Sequence, residues 1–460
     1  MDHFFGRLSL LHGWFPLSVQ GLTLFLLIIA IQWRARPWLK RVLPVALIAA
    51  AAVTALSYWY ITSLGVAGDP APTALWLWIA MTGLAAAVFL VGWRGTRWWR
   101  RGVAVLSIPL CVLCAGLALN GWVGYFPTAL AAWNQLTSVP LPDQIDRLRV
   151  TEMQVAGTRP AKGVVVPVDI DGASQFRHRR ELVYLPPAWF NSNPPPRLPA
   201  VMMIGSAFNT PADWLGPGGA FTAVDSFAAA HRGFSPVLVF VDPTGSFDND
   251  TECVNGSRGN AADHLTRDIV PFMVSNFGVS ADRAHWGVAG WSMGGTCAVD
   301  LAVMHPELFS AFVDIAGDRS PNVGPKDHTI AKLFGGDRTA WAAFDPLTVI
   351  ARHGRYTGVS GWFDVPGSPE PRNVAEVASI GGASGTDPAA NPEGQDAAAN
   401  ALCAAASANG ITCAVVSQPG RHDWPFAAGA FAAALPWLAA ALGTPEVPPV
   451  PLPQRGGGSH

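Results

Sequence analysis

Four stretches of this chain have the length and apolarity of membrane spans, and they restrict its possible folds more than any other feature. They run Leu17–Trp33, Val42–Ile61, Ala74–Trp93 and Val103–Trp122, and none contains Asp, Glu, Lys or Arg. About 20 apolar residues are needed to cross a hydrocarbon core of ~30 Å. Aromatic residues of the kind found at membrane interfaces, Trp33, Trp59, Tyr60, Trp93 and Trp122, sit at their ends. One cleaved leader followed by buried core helices would not supply four such runs in succession. The totals agree, since half of the 460 residues are hydrophobic and only 13% are charged. The net charge of −2 offers no basic field for nucleic acid.

The short loops predict orientation. The first carries Arg34, Arg36, Lys40 and Arg41, and the third Arg94, Arg97, Arg100 and Arg101. The second, 62–73, has no Lys or Arg and one Asp69. Positive loops stay in the cytoplasm. The N-terminus and everything after Trp122 are then expected on the extracytoplasmic side. No ionisable residue inside a span marks a transport path, which disfavours a transporter. Asn120 reads as interfacial, and Cys111 and Cys114 as apolar filling.

The predicted organisation is a four-helix transmembrane region over 1–125, a linker over 126–146, an extracytoplasmic α/β domain over 147–443, and a disordered Pro-rich tail over 444–460 whose Gly-Gly-Gly-Ser-His end reads as an added tag. In the α/β part, eight short runs read as strands: "GVVVPVDI", "RRELVYLPP", "PAVMMIG", "SPVLVFVDP", "AHWGVAG", "FSAFVDIAG", "YTGVSGWFD" and "TCAVVSQPG". Continuous apolar strands belong in a mostly parallel sheet covered by helices on both faces. "ADHLTRDIVPFMVSNF" and "TCAVDLAVMHPELF" are suitable crossover helices.

The pattern Gly-x-Ser-x-Gly occurs at Gly290–Trp291–Ser292–Met293–Gly294, between a predicted strand and a predicted helix. That context predicts a nucleophile elbow with Ser292 exposed on a strained turn. The backbone N–H of Met293 would face a developing oxyanion. A second donor is expected from the loop Gly205–Trp214, at Ser206, Ala207 or Phe208, with Ala207 preferred. A serine needs a base, and the hydrolase order is Ser, acid, His. His422, in "QPGRHDW" after the last predicted strand, fits that order. His328 and His353 come too early, and His285 lies at the wrong end of the elbow strand. Asp364, at the end of "YTGVSGWF", is the preferred acid, with Asp396 and Asp387 as rivals. The segment 319–355 could form a lid, with Trp341 and Phe344 lining an acyl pocket or simply packed.

Cys253, Cys297, Cys403 and Cys413 fall in the part placed outside, where disulfides form. Spacing suggests Cys253–Cys297 and Cys403–Cys413, out of three possible pairings. No Cys/His spacing suggests zinc and no offset pattern in "DNDTECVNGSRGNAADH" suggests an EF-hand, so neither metal nor cofactor is expected.

"FRHRRELVYLPPAWF", the Gly205 loop ending in "DW", "GWSMGG", "FVDIAGD" and "PGRHDW" together resemble the "Putative esterase" branch of the α/β hydrolases. That branch includes esterase D (S-formylglutathione hydrolase) and the secreted mycolyltransferases of mycobacteria. The resemblance spans about Thr151 to Leu442. It implies an α/β-hydrolase fold, Ser292 as nucleophile, His422 as base and a carboxylate between them in sequence. The four-helix region departs from both named relatives. Trp291 and the pair Gly294-Gly295 depart from the mycolyltransferase elbow. The expected function is a membrane-anchored serine ester hydrolase or acyltransferase acting on a lipid or envelope glycolipid ester. The competing expectation is a non-catalytic binding module built on a hydrolase domain.

Overall fold

The computed structural model describes residues 6, 8–31, 36–63, 71–93, 96–137, 141, 143–367 and 394–453. Arg34, Asp69, Arg94 and Asp387 lie outside these residues. The chain divides into two compact units, Met1–Val139 and Pro140–His460.

The first unit is helical: α1 (Trp14–Ala30), α2 (Arg36–Ser63), α3 (Thr73–Gly92), α4 (Trp98–Val123) and the short α5 (Ala129–Leu136). Lys40–Ile61 of α2, and the whole of α3 and α4, are long and apolar enough to cross a membrane. The fourth expected span is α1, with 17 residues, at the lower edge of the ~17–25 range. Large apolar side chains point outward, as with Leu17, Ile48 and Leu90 at 67%, 69% and 71% exposure, which suits a lipid surround. Small residues let the helices approach: a Cβ on Gly83 of α3 would lie 2.9 Å from the Ala49 carbonyl of α2. Asn120 is not left bare at the helix end, because its side chain bonds both the N–H and the C=O of Phe126. The segment 126–146, expected as a linker, instead carries α5, capped by Thr128, and its end pairs with the sheet through the Ile145 N–H and Val165 O.

The second unit begins with α6 (Arg147–Val155) and contains an eight-stranded sheet. Its strands are β1 (Val164–Val168), β2 (Glu181–Leu185), β3 (Ala200–Ile204), β4 (Val237–Val241), β7 (Trp286–Trp291), β8 (Ala311–Ile315), β9 (Ser360–Gly367) and β10 (Thr412–Pro419), and β5 (Asn255–Gly256) pairs separately with β6 (Gly259–Asn260). The order is β1-β2-β4-β3-β7-β8-β9-β10. β2 is antiparallel to both neighbours, and all other pairs are parallel. All eight strands read from the sequence are present, in an α/β-hydrolase fold. Pro167 and Pro419 lie on the edge strands β1 and β10, where a missing N–H is tolerated.

Crossovers are made by α7 (Ala220–Ala230), a helix that passes through a π-helical turn (His264–Ile269) into α8 (Val270–Phe277), α9 (Met293–Met304), α10 (Lys326–Phe334), α11 (Arg338–Ala342), α12 (Pro346–His353) and α13 (Gln395–Ala408), and α14 (Trp424–Ala441) follows the last strand. α7 packs with α14, and α12 packs with α9 and α13. α14 is as apolar as a span, yet over half of it is buried, because it covers β8 and β9. The tail does not begin at 444, since Thr444 is buried and Glu446 pairs with Arg232. Both expected disulfides are formed, Cys253–Cys297 and Cys403–Cys413, with Cα–Cα distances of 5.7 and 5.8 Å.

Candidate active site

Ser292 is the single residue between β7 and α9, at φ 57° and ψ −121°. Such a conformation costs a non-glycine residue on the order of 1–3 kcal/mol and persists only where its surroundings impose it. The glycines of the motif explain how. A Cβ on Gly290 would lie 1.7 Å from the Gly294 carbonyl oxygen, and one on Gly294 would lie 2.3 Å from that of Ile204. One on Gly295 would lie 2.3 Å from Asp314 Oδ1. Strands β3, β7 and β8 therefore close around the first turn of α9, and the chain can turn only through Ser292. The Ser292 N–H donates to Ile315 O at 2.8 Å, fixing the turn to β8.

The Met293 N–H opens α9 and donates to no backbone carbonyl of the described residues. Across from it, the loop after β3 sorts its own donors. The Ser206 N–H is engaged by Asn209 Oδ1 at 3.0 Å, whereas the Ala207 N–H donates to no described backbone carbonyl. Arg179 holds this loop. Its Nη2 donates to Asn209 O and to Asp242 Oδ1, both at 2.7 Å, and its Nε donates to Asp242 Oδ2 at 2.9 Å. Burial works against ionisation of Asp242, but the Arg179 guanidinium wins and holds the carboxyl below the usual range. A bidentate pair of this kind fixes geometry as well as charge.

His422 lies in the loop between β10 and α14, one residue before Asp423, which caps α14 by accepting from the Phe426 N–H at 3.0 Å. Its ring rests on Trp291, 4.4 Å between centroids, and so is brought beside the residue that precedes Ser292. Burial pushes the His422 imidazole down to about 4, so it is neutral, and able to accept a proton, at physiological pH.

The hydrogen bond expected between Asp364 and His422 is not made. Instead, His422 Nδ1 meets the side-chain amide of Gln395, 2.9 Å from Nε2. Which amide atom faces the ring is a choice of orientation. With Oε1 turned inward, Gln395 would accept the Nδ1–H and leave Nε2 as the basic nitrogen. Asp364 is the fifth of eight residues in β9, which continues three residues beyond it. Its Oδ2 accepts from Trp362 Nε1 at 3.2 Å and Gln418 Nε2 at 2.5 Å, and its Oδ1 has no hydrogen bond. Burial pushes this carboxyl up to about 7. Asp396 stands in the first turn of α13, next to Gln395. The three disfavoured histidines are occupied elsewhere: His285 with Leu442 O, His328 with Val323 O, and His353 stacked on Tyr356.

Sequence reasoning missed Gln395 and Asp314. Gln395 follows a long loop, and an amide carries no catalytic signature. Asp314 lies at the end of β8 beneath the elbow, accepts from the Gly317 N–H at 2.7 Å, and is pushed by burial up to about 7. The segment 319–355 folds as α10–α12 around its own apolar cluster, with Trp341 8% exposed and Phe344 packed against it. Trp341 also lines a cavity of about 380 Å³, with Asp318, Arg319, Asn322, Lys326 and Gly394. Lys326 Nζ sits 3.6 Å above its ring. The cavity reaches Gly394, the residue before Gln395, and its lining mixes polar and apolar residues.

Residues 174–438, more than half of the chain, match the profile of the family described as "Putative esterase". The chain belongs to this esterase family. A protein of Corynebacterium glutamicum with no assigned function is 30% identical over 264 residues, 55% of this chain and 59% of its own. An S-formylglutathione hydrolase of Paracoccus denitrificans is 33% identical over 98 residues, 21% of this chain and 33% of its own. The chain thus spans less than two thirds of the length of these curated relatives. Among solved structures, an S-formylglutathione hydrolase from Agrobacterium tumefaciens superposes with a TM-score of 0.47 at 17% identity, over 62% of this chain and 97% of that one. A ferulic acid esterase gives 0.46 at 15% identity, over 61% and 98%.

Proposed function

We propose that this esterase-family chain is a serine ester hydrolase whose nucleophile is Ser292 and whose base is His422. The observation that carries the reading is the left-handed turn at Ser292, imposed by three close-packed glycines and set beside a neutral imidazole on Trp291. Ser292 Oγ attacks the acyl carbon while His422 Nε2 takes its proton. The Met293 and Ala207 N–H groups receive the developing oxyanion, the alkoxide leaves with the proton from His422, and an acyl-enzyme remains. Water then frees the acid, whereas a sugar or lipid hydroxyl in its place would give transfer. Gln395, rather than Asp364, holds Nδ1 of the base. Asp364 acts as a mostly structural carboxyl joining β9 to β10 through Gln418.

The apolar helices favour an ester presented at a membrane, a lipid or an envelope glycolipid. Two disulfides in the second unit support its placement on the oxidising, extracytoplasmic side, in agreement with the positive first and third loops. The test is labelling with a fluorophosphonate in detergent. Wild type should label, Ser292→Ala should not, and His422→Ala should label far more slowly. A folded wild type that stays unlabelled sinks the enzyme reading in favour of a binding module.

A further inference from the structure

Away from the elbow, the described residues bring two imidazoles onto one buried carboxylate. Glu181 opens β2 and is fully buried. His264 Nε2, from the π-helical turn, lies 2.9 Å from Glu181 Oε1. His178 Nδ1 lies 3.1 Å from Glu181 Oε2. The rings stack with centroids 4.6 Å apart, and the three ligating atoms all fall within 4.8 Å of one another. Each outward ring nitrogen faces a second carboxylate. His264 Nδ1 is 3.2 Å from Asp268 Oδ2, which also accepts from the Ser174 hydroxyl, and His178 Nε2 is 3.6 Å from Asp171 Oδ1. Gly172 is required here, since a Cβ would lie 2.1 Å from the Asp268 carboxyl.

Proton sharing alone leaves part of this arrangement unexplained. Glu181 Oε2 is buried and makes no hydrogen bond, although a ring nitrogen stands 3.1 Å away. That nitrogen is aligned with Arg179 O instead, at 3.0 Å. The nearby guanidinium of Arg179 is committed to Asp242. A buried carboxylate whose two oxygens each face an imidazole, each imidazole backed by a further carboxylate, is the donor set of a metal site. Carboxylates behind ligating histidines orient the rings and raise their basicity.

We propose that His178, Glu181 and His264 bind one divalent transition metal ion, with zinc the best match to two nitrogens and a carboxylate. Zinc takes such ligands at about 2.0–2.2 Å, which places donors of a tetrahedron roughly 3.3 Å apart. The two ring nitrogens stand 2.9 and 3.1 Å from the two oxygens of Glu181, and one donor atom from each residue lies within 4.8 Å of the others, so small side-chain adjustments bring the three to that spacing. A water would complete the fourth position. The ion ties the segment before β2 to the π-helical turn, and it sits next to Arg179, which holds the loop carrying Ala207. Its role is to position that loop and stabilise the domain, not to take part in ester chemistry.

The test uses the full chain in detergent, stripped with a chelator and then given cobalt(II) or zinc alone. Expected are one ion per chain, the visible absorption of four-coordinate cobalt, and a rise in Tm on adding zinc. Asp268→Asn should weaken binding about 10–100-fold while leaving the three ligands in place. His178→Asn should abolish both the cobalt spectrum and the zinc-dependent rise in Tm. Should Glu181→Gln fail to fold, His178→Asn and Asp268→Asn carry the test, and the wild-type cobalt spectrum needs no variant. A folded wild type that takes up no cobalt overturns the proposal. So does a chain whose stoichiometry and spectrum are unchanged by His178→Asn.

Discussion

Gly294→Ala tests the claim that close packing, rather than serine chemistry alone, creates the nucleophile. Gly294 lies in the first turn of α9, and an added Cβ would stand 2.3 Å from Ile204 O and 2.6 Å from Gly205 O. Ordinary contact begins near 3.4 Å, so the end of β3 and the start of α9 must part by about 1 Å, an overpacking that costs roughly 1–3 kcal/mol. The same displacement moves the Ala207 N–H away from the Met293 N–H, the two donors proposed for the oxyanion. A misplacement of about 1 Å in a reacting site costs on the order of 100-fold in rate. The second-order rate of fluorophosphonate labelling should therefore fall about 100-fold, together with a Tm lowered by several degrees. Gly429→Ala is the matched control. Gly429 is exposed on α14 with nothing within 4 Å of the added Cβ, so it should gain about 0.5–1 kcal/mol and label at the wild-type rate. A folded Gly294→Ala that labels within threefold of wild type would refute the reasoning.

Three further outcomes are expected. Because burial pushes His422 down to about 4, the acid limb of the kcat/KM profile should lie near pH 4 to 5, not near the ordinary ~6.5 of histidine. The unfolded chain binds that proton more readily, so stability should decline as pH falls from about 6.5 toward 4; an acid limb at 6.5 would contradict the burial argument. Arg179→Gln leaves Asp242 buried without its cation and should cost about 3–5 kcal/mol at pH 7, read as a drop in Tm. In wild type this depressed carboxyl stabilises the fold above its unfolded value and loses that contribution as pH falls through its folded one, so the gap between wild type and variant should narrow in acid. Asp364→Asn should keep labelling within about tenfold of wild type, whereas loss of a triad acid costs about 10⁴; a fall of that size would restore Asp364 as the partner of His422.

The sheet was readable strand by strand because burial on both faces demands continuous apolar runs, and each run in the sequence is one of the eight strands. The elbow was readable because its tight turn needs small residues at fixed spacing around Ser292. The disulfides were readable because four cysteines outside the spans leave few pairings. The carboxylate was not. Asp364 was placed by assuming that β9 ends with it, but the strand runs on to Gly367 and turns the side chain toward Trp362 and Gln418. The linker expected at 126–146 hid α5, whose eight residues carry too short an apolar pattern to announce a helix.

The sequence by itself determined the class of each part, since both decisive signals are local: uncharged runs long enough for a bilayer, and an alternation of apolar strands with helices broken by a Gly-rich turn. Tertiary structure alone decided which side chains meet. Gln395 reaches His422 across 27 residues, and His264 reaches Glu181 across 83. Separations of that kind carry no periodicity, because closing a loop fixes its ends in space without marking its sequence. Only the packed sheet and its crossovers bring such residues within hydrogen-bonding distance.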